Sequence, residues 1–220
     1  MIYRDITEQQ LAEIVTQAVV KELKSRENRV PVGISVRHVH LTRSDIDWLF
    51  GRNWQLTPKK ALSQPGQFAC EECVDVIGPK GRLTKVRVLG PERSSTQVEL
   101  SQTDCRTIGV NAPVRDSGDL EGTPGVELKG PNGSISISRG VIVADRHIHM
   151  TLAQAQRFGL KDGDRVSVRI DSEKPGVMDN VLIRAGDKYA LDMHVDTDDG
   201  NAFRLNQGDW VTVLGKDGGC

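Results

Sequence analysis

Residues 36–42 read "VRHVHLT" and residues 145–151 read "DRHIHMT". The chain of 220 residues holds five histidines, and these two phrases use four of them. In an extended strand, side chains two residues apart point to the same face, so His38 with His40, and His147 with His149, can each turn two imidazoles toward one ion. Each phrase then runs into the start of a short helix. Thr42 is followed three residues later by Asp45, and Thr151 by Gln154, the spacing at which a threonine caps a helix and a partner side chain reaches back. Gly51 and Gly159 are placed to close the two helices. The phrase is thus a repeated unit of strand, histidine pair, cap, helix and glycine, and on its own it divides the chain into two contiguous halves.

The surroundings of the repeat are β-rich. After Pro31, short β-branched runs alternate with glycine and proline: "CVDVIG", "RLTKVRVLG", "SISIS", "RGVIVA", and later "DRVSVRID", "VLIRAG", "YALDMHVD" and "DWVTVLG". Gly-Pro-x-Gly turns at 78–81 and 130–133 separate successive strands. Long helical patterns between strands are missing, which argues against a parallel βαβ sheet. The expected fold is all-β: two small β-barrels related by a pseudo-repeat, with short capping helices. Ahead of them, "ITEQQLAEIVTQAVVKELKSR" carries Leu11, Ile14, Val15, Ala18, Val19 and Leu23 at helical spacing behind a Thr7–Gln10 capping box, predicting an N-terminal amphipathic helix that docks on its own domain or on a partner.

Composition narrows the function. Lys and Arg number 29 against 30 Asp and Glu, so no chain-wide field favours nucleic acid or an anionic membrane. No apolar run reaches the length of a membrane span, and no signal-peptide pattern opens the chain, which points to the cytoplasm. Four cysteines are too few and too scattered for a disulfide framework; Cys70 and Cys73 read as structural, and Cys220 sits in a terminal tail.

Two nitrogen ligands do not complete a zinc site, because catalytic zinc takes three protein ligands and keeps a position open. His194, in "LDMHVDTDDGNAF", is the natural third ligand for one pair. For the other pair, spacing does not choose among Glu99, Glu71, Glu72, Asp45, Asp104 and the Cys70–Cys73 pair. Between the repeats, Arg93, Ser94, Ser95, Thr96 and Gln97, followed by Arg115 and Ser117, form a polar set beside glycine turns. Arginine and small hydroxyl residues suit an oxyanion, so an anionic substrate near metal is expected.

The ordered motifs "RHVHL", "LSQPGQFACEECV", "VRVLGPERSSTQVELSQTD", "PVRDSGDL", "ADRHIHM" and "DMHVDTDDGNA" resemble the PduL-type phosphate propanoyltransferases over about residues 32 to 214. The resemblance implies two β-barrels, one discontinuous (27–36 with 145–216) and one spanning 37–144, after an N-terminal helix and linker at 1–26. It implies two zinc ions between the barrels, one on His38, His40 and Glu99 and one on His147, His149 and His194. It places a phosphate-contacting arginine at Arg93, with Gln67, Gln97 and Ser117 lining the pocket. The implied reaction joins acyl-CoA, acetyl or propanoyl, and phosphate to acyl phosphate and free coenzyme A. Implied with it is residence in a bacterial microcompartment, whose shell or core proteins the N-terminal helix would meet; a homodimer is a separate expectation that the resemblance does not supply. The sequence departs from the family pattern at Asp199–Gly200, where a Glu-Ala pair is commoner. Two other readings compete: a dinuclear zinc hydrolase of a small acylated or phosphorylated molecule, and a zinc-stabilised scaffold without catalysis.

Overall fold

The computed structural model describes residues 7–216. Helix α1 (Glu8–Glu27) precedes β1 (Arg29–Ser35), β2 (His38–His40) and helix α2 (Arg43–Phe50). Next come β3 (Pro58–Ala61), β4 (Phe68–Ile77), β5 (Arg82–Gly90), β6 (Gln97–Glu99) and helix α3 (Gln102–Ile108). Strands β7 (Val114–Arg115), β8 (Val126–Gly130), β9 (Gly133–Ile137), β10 (Val141–Ala144) and β11 (His147–Met150) lead to helix α4 (Leu152–Phe158). The chain ends with β12 (Arg165–Ile170), β13 (Gly176–Ala185), β14 (Asp192–Asp196), helix α5 (Thr197–Ala202) and β15 (Trp210–Lys216).

These strands form two sheets, each around its own core. One is a closed barrel in the order β1-β14-β11-β13-β12-β15, filled by Val32, Ile148, Met150, Val168, Ile183 and Met193 among others. The other is a nine-stranded sheet running β7-β10-β6-β2-β5-β4-β8-β9, with β3 paired to β4, and it wraps a second cluster that includes Val39, Leu41, Ile46, Val88 and Ile142's neighbour Val141. The all-β, two-barrel architecture with capping helices is therefore found, one barrel closing fully and the other forming a half-barrel.

A cut into contiguous halves fails, because the strand before each histidine pair belongs to the opposite lobe. Strand β1 pairs in parallel with β14 of the closed barrel, whereas β2, two residues later, joins the other sheet. Strand β10 pairs in parallel with β6, whereas β11 joins the barrel. The two crossovers are the same exchange made twice, and they bring both histidine pairs to the boundary between lobes.

Inside each lobe the local chemistry repeats further than the phrase suggests. Thr42 accepts from the backbone N–H of Asp45, and Thr151 forms a full capping box with Gln154. Two further caps carry the same signature: Ser101 accepts from the Asp104 N–H ahead of α3, and Asp196 from the Asp199 N–H ahead of α5. Gly159 closes α4 in the left-handed region, while Gly51 ends α2 at φ 118, a positive φ outside that basin. Each Arg-His phrase is tied to one of the unanticipated helices: Arg37 pairs with Asp104 at 3.2 Å, and Arg146 with Asp199 at 3.5 Å. The Asp199 carboxylate thus has a structural task in this chain. At Gly200 an added Cβ would come within 3.0 Å of Ile34 Cδ1, a tight but yielding contact.

The two Gly-Pro-x-Gly turns also have a shared job. Each docks on the end of a helix and donates to a carbonyl that the helix leaves unpaired. Lys80 N–H donates to the Ile108 carbonyl of α3, and Asn132 N–H to the Leu49 carbonyl of α2, both at 2.9 Å. Glycine is needed because a Cβ at Gly78 or Gly130 would lie 2.4 Å from those same carbonyl oxygens.

Along residues 7–20 the N-terminal helix is exposed on all sides; Leu11, Ile14, Val15, Val19 and Val20 stand 44–54% open. Docking of this stretch on its own domain is not seen. The Thr7–Gln10 box is formed, with Thr7 N–H donating to Gln10 Oε1 at 3.0 Å and Gln10 N–H to Thr7 Oγ1 at 3.2 Å. No helix among the described residues is long and apolar enough to cross a membrane. Cys220 lies outside the described residues.

Replacing Gly130 by alanine forces backbone apart at the α2 terminus, at a cost of about 1–3 kcal/mol. Thermal unfolding should show a midpoint lowered by about 2–4 °C per kcal/mol; an unchanged midpoint would refute the docking role of the turn.

Candidate metal centre and active site

Antiparallel pairing builds both histidine clusters in the same way. Strand β2 lies against β6 with His38 opposite Glu99 and His40 opposite Gln97. Strand β11 lies against β14 with His147 opposite His194 and His149 opposite Asp192. Val39 and Ile148, between the histidines, are fully buried in their respective cores. The alternation that sinks them turns the imidazoles out of the sheet together. Four ligand strands, and in each the last ligand stands two residues before a helix cap: His40 before Thr42, Glu99 before Ser101, His149 before Thr151, His194 before Asp196.

The outcome is two groups whose ligand atoms lie within 4.8 Å of one another, His38–His40–Glu99 and His147–His149–His194. Of the six possible third partners for the first pair, Glu99 is the one that arrives, with Oε2 3.3 Å from His38 Nε2 and Oε1 3.8 Å from His40 Nε2. The others are occupied. Glu71 pairs with Lys59, Glu72 accepts from Trp54 Nε1 and Thr57 N–H, Asp45 accepts from Thr96 Oγ1, and Asp104 holds Arg37. Cys70 is buried, and neither it nor Cys73 enters a cluster.

Hydrogen bonding prepares the rings for a cation. His38 Nδ1 lies 2.8 Å from the Val36 carbonyl and His147 Nδ1 2.7 Å from the Asp145 carbonyl, so in the neutral rings the proton sits on Nδ1 and Nε2 is the nitrogen open to a cation. His147 Nε2 then faces His149 Nε2 at 3.1 Å, and His149 Nδ1 is buried without a hydrogen-bond partner. Convergent, unprotonated nitrogens of this kind fit a metal ion. Ser63 Oγ and Asp192 Oδ2 both meet His194 at the same Nε2, at 3.4 and 3.0 Å. A serine–histidine–carboxylate relay is therefore not formed, since it requires different partners on the two ring nitrogens.

The electrostatics agree. Burial, then neighbouring His194, pushes His147 down to about 4. Burial and then His147 push His149 down to about 2, and burial and then His38 push His40 down to about 3. His38 goes the other way: burial lowers it, but the Glu99 carboxylate outweighs burial and the net shift is upward. Glu99 itself, although burial opposes its charge, is held well below the ordinary carboxylate range, chiefly by His38.

Around Glu99 sits the polar set anticipated from the sequence, in part. Ser117 Oγ donates to Glu99 Oε1 at 3.2 Å and accepts from Arg93 Nη1 at 3.1 Å and Gln97 Nε2 at 2.8 Å, using its one proton and both lone pairs. Gln97 Oε1 accepts from the Gly118 N–H at 2.8 Å, and the Arg93 backbone is pinned to the Leu41 carbonyl at 2.9 Å. Arg93, Gln67 and Ser117 line a cavity of about 610 Å³ shared by both histidine groups. Ser94 and Ser95 are exposed instead, Thr96 is spent on Asp45, and Arg115 turns to Asp119 at 3.4 Å. Burial lowers the proton affinity of Arg93.

Several contributors escaped the sequence reading. Asp192 shares a strand face with His194, a signal available from its i−2 position. Gln64 had none: its amide exchanges hydrogen bonds with the Ala190 backbone at 3.0 and 3.1 Å, stitching the β3–β4 loop onto the other lobe.

The phosphate propanoyltransferase family model matches residues 31–206. The chain is 52% identical over 196 residues to a phosphate propanoyltransferase of Thermotoga maritima, covering 89% of this chain and 93% of that protein. It is 50% identical over 188 residues to one of Rhodopseudomonas palustris (86% and 83% covered), and 47% identical over 207 residues to one of Sebaldella termitidis (94% and 98% covered). The chain belongs to the phosphate propanoyltransferase family. It is an acyltransferase, and both histidine phrases, Glu99 and His194 fall within the span matched by the family.

In the protein kept free of metal by a chelator, the depressed histidines stay neutral while those of the unfolded chain take up protons below their ordinary value near 6.5. Their contribution to stability is present above that value and lost as pH falls toward about 4 for His147, with His40 and His149 still unprotonated. His38 acts oppositely, stabilising below 6.5 and losing its contribution as pH rises through its raised value. Three outweigh one. The urea midpoint of the chelated protein should be lower at about pH 5.5 than at about pH 7.5; a midpoint that stays level or rises would contradict this balance.

Proposed function

We propose that this protein interconverts an acyl-CoA, propanoyl or acetyl, and inorganic phosphate with the acyl phosphate and free coenzyme A, at two zinc ions held by His38–His40–Glu99 and His147–His149–His194. The observation that carries the reading is the pair of three-ligand clusters opening on one cavity with Arg93. Three nitrogen or oxygen ligands and no cysteine match a zinc site that keeps a position for substrate, unlike closed structural sites with four ligands. This favours catalysis over a scaffold.

Bound zinc would supply Lewis acidity and stabilise a departing thiolate. The chain's own residues supply position and charge. Arg93, oriented by Ser117, is placed to hold phosphate, and its guanidinium matches two phosphate oxygens at once. An oxygen of HPO₄²⁻ attacks the thioester carbonyl carbon; the C–O bond forms, the C–S bond breaks with its electron pair on sulfur, and the phosphate proton ends on the thiol. Holding both reactants in one site removes most of the entropic barrier, so no protein nucleophile is required. The absence of a relay at Ser63–His194–Asp192 fits this direct attack. Hydrolysis is the competing outcome, and the arginine beside Glu99 favours phosphate over water as acceptor.

We further infer that α1 addresses the enzyme to the interior of a bacterial microcompartment, within a bacterial cytoplasm. Support comes from its open apolar side chains, which find no partner in the described fold over residues 7–20. Amphipathic helices of this kind lay their apolar stripe in a groove of another protein.

Metal content by mass spectrometry and CoA release from acetyl-CoA and propanoyl-CoA, with and without phosphate, should give two zinc ions per chain and release that requires phosphate. Release indifferent to phosphate would identify a hydrolase. Arg93→Ala should cut kcat/KM for phosphate by about 100-fold, in line with loss of a charged hydrogen-bond donor; unchanged phosphate saturation and turnover would remove Arg93 from the site. Deleting residues 1–26 should leave turnover intact and abolish co-purification with shells, and continued encapsulation would refute the addressing role.

A further inference from the structure

Arg184 is the penultimate residue of strand β13 and stands in register beside His149. It lines the shared cavity, half-buried, yet among the described residues no carboxylate pairs with it and its side chain makes no hydrogen bond. A half-buried guanidinium beside two histidine clusters pays desolvation without compensation unless an anion joins it. Arg93, another cation, lines the same cavity. After burial and the opposing pull of Glu99, Arg184 is what further weakens proton binding by Arg93, and it does the same to His147 and His149. One guanidinium from each lobe is thus directed at the same space.

The duplicated architecture shows that the fold does not require an arginine here. In the barrel, β11 and β13 place His147 beside Leu182 and His149 beside Arg184. In the other lobe, β2 and β5 place His38 beside Arg87 and Val39 beside Val88, so the counterpart of Arg184 is Leu89. Arg87 is spent on structure, donating to the Cys70 and Glu71 carbonyls at 2.8 and 2.9 Å. Arg184 thus departs from the duplication, an arginine where the other lobe carries an aliphatic side chain, and both positions line the cavity.

We propose that Arg184 and Arg93 form a cross-lobe clamp on the reactive phosphoryl group, inorganic phosphate in one direction and the phosphoryl end of the acyl phosphate in the other. Planar guanidinium forks approaching from two lobes match the several oxygens of a phosphoryl dianion. The phosphates of coenzyme A are a second source of the same chemistry. They lie a full pantetheine arm from the thioester, whereas Arg184 stands beside a histidine of the metal cluster. The clamp rests on the transacylase reading given above.

Arg184→Gln and Arg184→Lys, each checked for metal content, separate the sources. Phosphate and acetyl-CoA are varied in turn, and inorganic phosphate alone is titrated against the thermal midpoint without acyl donor. The glutamine variant should raise KM for phosphate by about 10- to 100-fold, keep KM for acetyl-CoA within about twofold, and lose most of the phosphate-induced shift, with lysine intermediate. An unchanged phosphate KM and shift would overturn the clamp, as would a selective rise in the acetyl-CoA KM, which would assign Arg184 to the coenzyme. CoA release by the parent enzyme that ignores phosphate would instead bring down the transacylase reading, and the thermal titration would still score the clamp.

Discussion

In a strand, side chains two apart share a face, and Val39 and Ile148 make that rule binding. Each is fully buried between two histidines, so the imidazoles cannot turn inward without pulling an aliphatic side chain out of its core. A one-residue slip in β2 or β11 would drive two imidazoles into the hydrophobic core and turn a valine or an isoleucine toward the cavity. The register that stabilises each sheet is therefore the register that assembles each ligand group. Burial that holds His40 and His147 neutral, and backbone carbonyls that engage Nδ1 of His38 and His147, follow from the same placement. Sheet stability and metal-site geometry are one constraint here.

The repeated phrase was legible because its parts are local. Strand alternation, cap and closing glycine all operate within about a dozen residues, and all appear where the sequence places them. The caps at Ser101 and Asp196 were equally visible in principle, since Ser101-x-x-Asp104 and Asp196-x-x-Asp199 carry the same signature as Thr42-x-x-Asp45. They went unread because no apolar periodicity of useful length follows them; α3 and α5 run for seven and six residues. Nonlocal facts were harder. The exchange of β1 and β10 between lobes depends on which distant strand each one meets, and period-two alternation looks the same in either lobe.

Choosing Glu99 illustrates the same limit. Spacing offered several acidic residues of equal standing, and what distinguishes them is employment: each rival is engaged by a lysine, a tryptophan and threonine, a threonine hydroxyl or an arginine. Only the folded chain shows which carboxylate is left over, and resemblance to a family supplied the choice that spacing could not. Arg115 was misplaced for the converse reason. It sits two residues before Ser117 in a strand-and-turn segment, close in sequence to the site but turned toward Asp119.

The exchanged strands have a mechanical consequence. Between β1 and β2 lie Val36 and Arg37, and between β10 and β11 lie Asp145 and Arg146, so each crossover is two residues long and ends on a ligating histidine. Two short covalent straps therefore cross the seam at the metal sites themselves, with Gln64 fastening a third point. Hinge-like parting of the lobes would have to tear β1 or β10 from its sheet. A catalytic cycle that trades a bulky coenzyme for a small anion must then run inside a fixed gap, with the spacing of the two ligand clusters set once, at folding.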